Sequence, residues 1–272
     1  MRVIAIANQK GGVGKTTTAV NLATALAATH YRVLLIDSDP QGNASTGMDC
    51  ASEDRHCSLY EVLLRQSTMT QALHVTPIPG LDLVPARVDL AAIEVEIAAM
   101  DRAQFLLRDQ LGAVQHAYDY VIIDCPPSLG MLTVNALVAA HAVIVPLQCE
   151  FYALEGLAHL LKTIELVKRE LNRDLNVAGI ALTMMDRRNR LGEQVEADVR
   201  GCLGELVFTT TIPRNIRLSE APSHGKPAII YDVRCTGSVA YMHLAREFIA
   251  RERGLGVEES SLAAPQTMAT AG

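Results

Sequence analysis

The sequence predicts an α/β fold: a doubly wound, mostly parallel sheet with helices on both faces. Three observations carry this prediction. Apolar runs of strand length recur along the chain, and each is followed by a helical pattern. The runs are rich in β-branched residues and lack a clean apolar/polar alternation, as strands covered on both faces do. The chain has 272 residues, 49% of them hydrophobic, enough for one sizeable core, and with 4% aromatics that core must rest on Ala, Val, Ile and Leu.

The elements follow in order. "RVIAIAN" (2–8) is a first strand; it runs into a glycine loop and then a helix from about Thr16 to Ala28. "RVLLIDSD" (32–39) is a second strand, stopped by Pro40. "LDLVPA" (81–86) is a weaker strand, and the stretches 42–80 and 86–100 read as helical excursions. "YDYVIIDCPP" (118–127) is a strong strand stopped by two prolines. A helix from about Leu132 precedes "HAVIVPL" (141–147), and a longer one, Leu154 to Leu171, precedes "NVAGIALTMM" (176–185). "LVFTTTIP" (206–213) is expected as a further strand, followed by a last helix from about Ser238 to Arg251. A single domain over 1–253 is expected. From 254 to 272 the composition turns small, polar and acidic, the signature of a disordered tail.

Composition excludes several classes. A net charge of −6 argues against a globally basic nucleic-acid binder and leaves room for a local patch. None of the six cysteines forms a C-x-x-C pair, so zinc-ribbon and thioredoxin-like readings fail. No apolar run is long enough to span a bilayer and no signal peptide precedes the first strand, so a reduced, cytoplasmic protein is expected.

In open parallel sheets, ligands sit outside the carboxyl ends of the strands. The residues just after the strands are therefore the ones to read. "KGGVGKTT" (10–17) lies between a strand and a helix, where a phosphate-binding loop belongs. Gly11, Gly12 and Gly14 free the backbone so that N–H groups, including that of Val13, turn inward around phosphate oxygens. The helix start adds its positive dipole end. Lys15 should reach the β- and γ-phosphates, and the Thr16 hydroxyl should ligate Mg2+. "VIID" ends at Asp124, a candidate to hold Mg2+ through water; the plainer reading is a strand-end cap. "DSDPQGN" (37–43) ends the second strand, and Asp37 and Asp39 share a side if the chain stays extended. Two carboxylates beside such a site can order water for in-line attack, although D-P and Q-G are also turn dipeptides.

Together "KGGVGKTT", "DSDPQGN", "DCPPS" (124–128) and "TIPRNIRLSEAPSHGKP" (211–227) resemble the ParA/MinD family of deviant Walker ATPases, a P-loop NTPase group, over about 2–251. The match looks closest to short, Soj-like chromosome-partitioning proteins. The resemblance implies a Mg-dependent ATPase that dimerises around two sandwiched ATP molecules. It implies that Lys10 reaches the partner subunit's phosphates, that Lys15 and Thr16 bind the chain's own nucleotide and its metal, and that Thr17 lies near the α-phosphate. Asp39 is then the residue that positions the hydrolytic water, Asp124 the Walker B acid, and Pro213 and Asn215 neighbours of the adenine. Charge agrees with this role for Lys10: the loop already carries Lys15 and many N–H groups, Lys10 precedes the cradle and need not face its own nucleotide, and two subunits meeting loop to loop need counter-charge between their nucleotides. The lack of an N/T-K-x-D motif favours ATP over GTP.

"DRRNRLGEQVEADVR" (186–200) puts Arg187, Arg188 and Arg190 at a strand-to-helix junction, with Arg200 nearly three helical turns on. Arg214, Arg217, Lys226 and Arg234 follow. Alone, such a cluster is a solvated face; in the context of the resemblance it implies non-specific binding of double-stranded DNA by the ATP-bound homodimer, on the nucleoid, with a ParB-like centromere-binding protein stimulating hydrolysis. No helix-turn-helix precedes the loop, so operator reading is not expected. The alternative is a MinD-like membrane-cycling ATPase, which needs a basic amphipathic helix at the C-terminus; the acidic tail argues against it and against membrane binding.

Overall fold

The computed structural model describes residues 1–150, 152–186 and 188–254. Phe151, Arg187 and the region expected as a tail, from 255 on, lie outside the described residues.

Among the described residues, seven strands form one sheet: β1 (Arg2–Ile6), β2 (Val33–Asp37), β3 (His74–Val75), β4 (Leu81–Val84), β5 (Tyr120–Asp124), β6 (Ala142–Gln148) and β7 (Asn176–Thr183). Their spatial order is β3-β4-β2-β5-β1-β6-β7. All neighbours are parallel except the short edge pair β3 and β4. The helices are α1 (Lys15–Ala28), α2 (Asn43–Gly47), α3 (Leu59–Leu63), α4 (Ile93–Ile97), α5 (Leu106–Leu111), α6 (Met131–Ala139), α7 (Ala153–Glu170), α8 (Arg190–Leu203), α9 (Ile216–Glu220), α10 (Ala228–Tyr231) and α11 (Thr236–Glu252). The doubly wound α/β class is therefore the observed one.

Side chains alternate across a strand, and here both faces are apolar. Val3, Ala5, Leu34, Ile36, Val121 and Ile123 enter one core, with α3, α5, α6 and α7 packed over it. Ile4, Ile6, Val33, Leu35, Tyr120 and Ile122 enter the other, beneath α1 and α11. Hence the unbroken apolar runs in the sequence. Helix α7 buries Ala153, Leu157, Leu160, Ile164 and Val167, a 4-3-4-3 spacing that makes one stripe. Helix α1 buries all residues from Thr18 to Ala27, because it is sandwiched between the sheet and α11.

Two expectations need correction. The run 206–213 is not a strand; it forms two isolated bridges, Val207 with Ile180 of β7 and Pro213 with Met185 just past the end of β7. The Phe208 and Ile212 amides do donate to the Ile180 and Leu182 carbonyls. Between them, the Thr209 and Thr210 amides turn away to the Glu247 carboxylate of α11 at 2.7 and 2.9 Å. A side chain thus takes the donors a ladder would need. The second correction is the antiparallel β3–β4 pair, within and beside a stretch read as a helical excursion.

Candidate functional site

The site lies where β1, β5 and β2 end together. The loop after β1 climbs over their carboxyl ends and leads into α1. Gly12 and Gly14 have φ of 76 and 84°, a left-handed conformation that side chains resist, and Gly14 stands as the N-cap of α1. With no side-chain cap at this end, the first amides of α1 stay open to an anion. The loop is pinned from beneath: Val13 is buried, and its carbonyl accepts from the Thr183 hydroxyl at the end of β7 at 2.8 Å.

The two lysines of the loop differ sharply. Lys15 is 7% exposed and donates to the Lys10 carbonyl at 2.9 Å. Burial lowers its pKa, opposed by the nearby carboxylates of Asp124 and Asp39. Lys10 points outward and forms an ion pair with Glu150, both side chains being 45% exposed. Its amide is held by the Asn8 side chain at 3.0 Å, and Asn8 in turn donates to the Pro146 carbonyl at 2.7 Å. Within one subunit Lys10 therefore faces away from the cradle that Lys15 enters.

Asp37 and Asp124 are register partners on β2 and β5, both fully buried. They lie on the α1 face of the sheet, by the same alternation that sends Leu35 and Ile122 there. Asp37 is spent on structure: it accepts from the Ser45 amide and hydroxyl at 2.8 and 2.7 Å and from the Asp39 amide at 3.2 Å. Burial pushes its pKa up to about 6 despite the Ser45 bonds. Asp124 is placed differently: neither of its carboxylate oxygens makes a hydrogen bond among the described residues. Its pKa is raised well above the ordinary range, first by burial and next by the Asp37 charge, while the nearby Thr16 hydroxyl and Lys15 ammonium favour the charged form. An unpartnered buried carboxylate beside a second carboxylate and a threonine hydroxyl fits a hydrated divalent cation.

The chain turns at once after β2. The Gln41 amide donates to the Asp39 side chain at 3.0 Å and the Gly42 amide to the Asp39 carbonyl at 2.9 Å. The D-P and Q-G dipeptides thus form a turn; Asp39 is buried at its start, and its charge reaches Lys15, Asp37 and Asp124.

Beside the loop opens a cavity of about 430 Å³. Gly14, Thr16, Thr17, Pro213, Arg214, Asn215, Leu218 and Lys226 are among its lining residues. Residues some 200 positions apart in sequence thus share one pocket. Asn215 is also the N-cap of α9, accepting from the Arg217 amide at 2.8 Å. Sequence reading missed three residues around this pocket. Asn21 bridges the Thr17 carbonyl and the Ile229 amide, Tyr241 of α11 meets the Thr18 hydroxyl at 3.1 Å, and Thr183 holds Val13. None belongs to a short motif, and two of these bonds join residues more than 200 positions apart.

The arginines are divided. Arg188 is locked to Asp186 through two bonds of 3.0 and 2.9 Å, which hold the Asp186 pKa down at about 2, with Arg214 adding to the effect. Arg217 pairs with Glu220 at 2.9 Å and Asp232 at 3.6 Å, over the Tyr231 ring. Arg200 donates to Glu196 and to the Phe208 carbonyl, about 15 Å along α8 from Arg190, so it lies apart from the others. Arg190 and Arg214 make no ion pair among the described residues. Arg187 lies outside the described residues.

A family model described as an AAA domain matches residues 1–177. The chain is 57% identical to the chromosome partitioning protein ParA of Caulobacter vibrioides over 255 residues, covering 93% of this chain and 96% of that one. It is 49% identical to the chromosome-partitioning ATPase Soj of Thermus thermophilus over 252 residues, 92% of this chain and 96% of that one. Among solved structures, the cobyrinic acid a,c-diamide synthase of Mycobacterium smegmatis with bound ATP analogue and magnesium is similar, with a TM-score of 0.82 and 37% identity over 93% of this chain and 96% of that one.

Proposed function

The chain belongs to the ParA/MinD family of deviant Walker ATPases and is a DNA-partitioning ATPase of the ParA/Soj type; from that premise we propose that Mg–ATP binding at the β1–α1 loop drives two subunits together on DNA. The observation that carries the nucleotide reading is the Asp124 carboxylate: buried, without a hydrogen bond among the described residues, and beside Lys15 and Thr16. The ATP analogue and magnesium in the similar synthase structure support it.

In this reading the loop amides and Lys15 hold the β- and γ-phosphates, and the pocket at Pro213 and Asn215 takes the base. Thr16 and Asp124, the latter through water, would hold Mg2+, which neutralises charge on the phosphates. Asp39 orients the attacking water and accepts its proton. Lys10, turned outward and held by an exposed ion pair with Glu150, is available to a second subunit. There it would supply charge to the neighbour's γ-phosphate, the part an arginine finger plays elsewhere. Hydrolysis removes that bridging charge and releases the dimer.

Arg190 and Arg214, with Arg188 and Arg217, would meet DNA phosphates without reading bases. A ParB-like partner, bound at a centromere-like site, would stimulate turnover. No helix among the described residues is long and apolar enough to cross a membrane. The deciding experiment measures DNA retention against salt with ADP, ATP and a non-hydrolysable analogue, alongside the dimer fraction. Retention only in the triphosphate states supports the reading. Equal retention with ADP, or binding to anionic vesicles in place of DNA, refutes it.

A further inference from the structure

Arg55 is a buried guanidinium with no carboxylate partner among the described residues. It is 7% exposed, and its nitrogens donate to neutral groups. Nε and Nη2 reach the Cys50 carbonyl at 3.1 and 2.8 Å, Nη1 the Ala86 carbonyl at 3.0 Å, and Nη2 also the Thr46 hydroxyl at 2.9 Å. A charge buried in this way is costly unless its donors are placed, and its removal takes a donor from two carbonyls and a hydroxyl.

The acceptors come from two segments that Arg55 joins. Thr46 lies in α2, Cys50 just after it, and Ala86 just after β4. The guanidinium presses against the backbone of Gly42: a Cβ there would meet Nη1 at 2.2 Å, and the φ of 64° already favours glycine. Gly42 closes the turn begun by Asp39, donating to the Asp39 carbonyl at 2.9 Å. The Thr46 hydroxyl carries the grip of Arg55 onward, donating to the Gly42 carbonyl at 3.1 Å. From the other side Ser45 ties the same segment to Asp37 and to the Ala86 amide. Among the described residues the Gln41 amide alone bonds the Asp39 carboxyl itself, so the direction of that carboxyl depends on the turn.

We propose that Arg55 is a positioning residue for hydrolysis, fixing the 39–46 turn and with it the Asp39 carboxyl at the end of β2. The proposal rests on the reading of Asp39 as the group that orients the attacking water. A group acting in this way alters turnover and leaves nucleotide affinity alone. A group that merely holds the fold together alters the melting temperature and leaves turnover alone.

The test uses the full-length chain with Mg–ATP, measuring kcat, KM and thermal melting for Arg55→Lys, Thr46→Val and Asp39→Ala. Lysine keeps the charge, but its three N–H donors radiate from one nitrogen and cannot reproduce the reach of the guanidinium fork, whose three nitrogens meet these acceptors from separate positions. Valine keeps the shape of Thr46 and removes the relay to Gly42. Asp39→Ala should abolish turnover. Arg55→Lys should lower kcat on the order of ten- to a hundred-fold at unchanged KM, the size that small displacements at a reacting centre produce. Thr46→Val should shift kcat in the same direction and less. Wild-type kcat in Arg55→Lys and Thr46→Val, with Asp39→Ala inactive, overturns the role of Arg55 alone. An active Asp39→Ala overturns the underlying reading of Asp39 instead. If Arg55→Lys is unfolded at the assay temperature, Thr46→Val decides.

Discussion

At the residue scale, the site sets two buried carboxyls side by side and partners only one of them. Asp37 is hydrogen-bonded into the start of α2, whereas Asp124 is left open among the described residues. Both pKa values are raised, chiefly by burial. A carboxyl with a raised folded-state pKa favours folding most below its ordinary value and loses that contribution as pH rises through the folded value. For Asp37 the window runs from 3.8 to about 6, and Asp124 extends it upward. Asp124→Asn should therefore melt higher than the wild type at pH 8 in nucleotide-free protein, by roughly 3–6 °C, or ~1–2 kcal/mol in a chain of this size. The gap should narrow as pH is lowered towards 5, and Mg-dependent hydrolysis should be lost; scanning calorimetry at both pH values checks the first part. Lys10→Ala gives a second residue-level outcome. Because Lys10 faces solvent, nucleotide binding by the single subunit should change little, while the ATP-dependent dimer should vanish in light scattering. Most of these residues were legible in sequence because they sit in short motifs. Arg55, Asn21, Tyr241 and Thr183 were not, since each meets a backbone group or hydroxyl that only the folded chain brings near.

At the element scale, α11 acts as a brace across one face of the molecule. It covers α1, meets Thr18 through Tyr241, and holds the 206–213 segment through Glu247. Glu247 is 4% exposed; burial opposes its charge, but the Thr210 and Thr209 amides and Arg251 keep its pKa below the ordinary value. Arg251 in turn lies over the Phe208 ring at 4.2 Å. Glu247→Ala should orphan two amides and cost about 1–3 kcal/mol, read as a lower melting temperature. The same segment continues to Pro213 and Asn215 in the cavity, so ATP affinity should fall as well; unchanged affinity would separate the brace from the pocket. The segment illustrates why a β-branched run misleads. "FTTTI" has strand propensity, yet a carboxylate on the facing helix competes for its amides, and propensity counts no such competitor.

At the scale of the whole molecule, strand order assembles the site. β1 lies between β5 and β6, so its loop stands beside Asp124, and β2 on the far side of β5 adds Asp37 and Asp39. The same sheet edge exposes the arginines after β7, but not as equal charges. Arg188 and Arg217 are already paired, whereas Arg214 makes no ion pair among the described residues. Arg214→Glu should therefore weaken DNA retention more than Arg188→Glu, and lower the slope of log K against log salt by about 0.9 for each DNA phosphate left without its arginine. Equal effects of the two substitutions in filter binding across a salt series would show that the pairs open at no cost. The strand–helix alternation, the phosphate loop with its two lysines, and the acids at the strand ends were all readable from the chain, because each is encoded within a few adjacent residues. Tertiary structure decided which acid is spent on the fold and which is left open, which arginines keep an unpaired charge, and that Arg55 grips the Asp39 turn. Those outcomes depend on burial and on partners far away in the chain, and a local pattern holds no record of either.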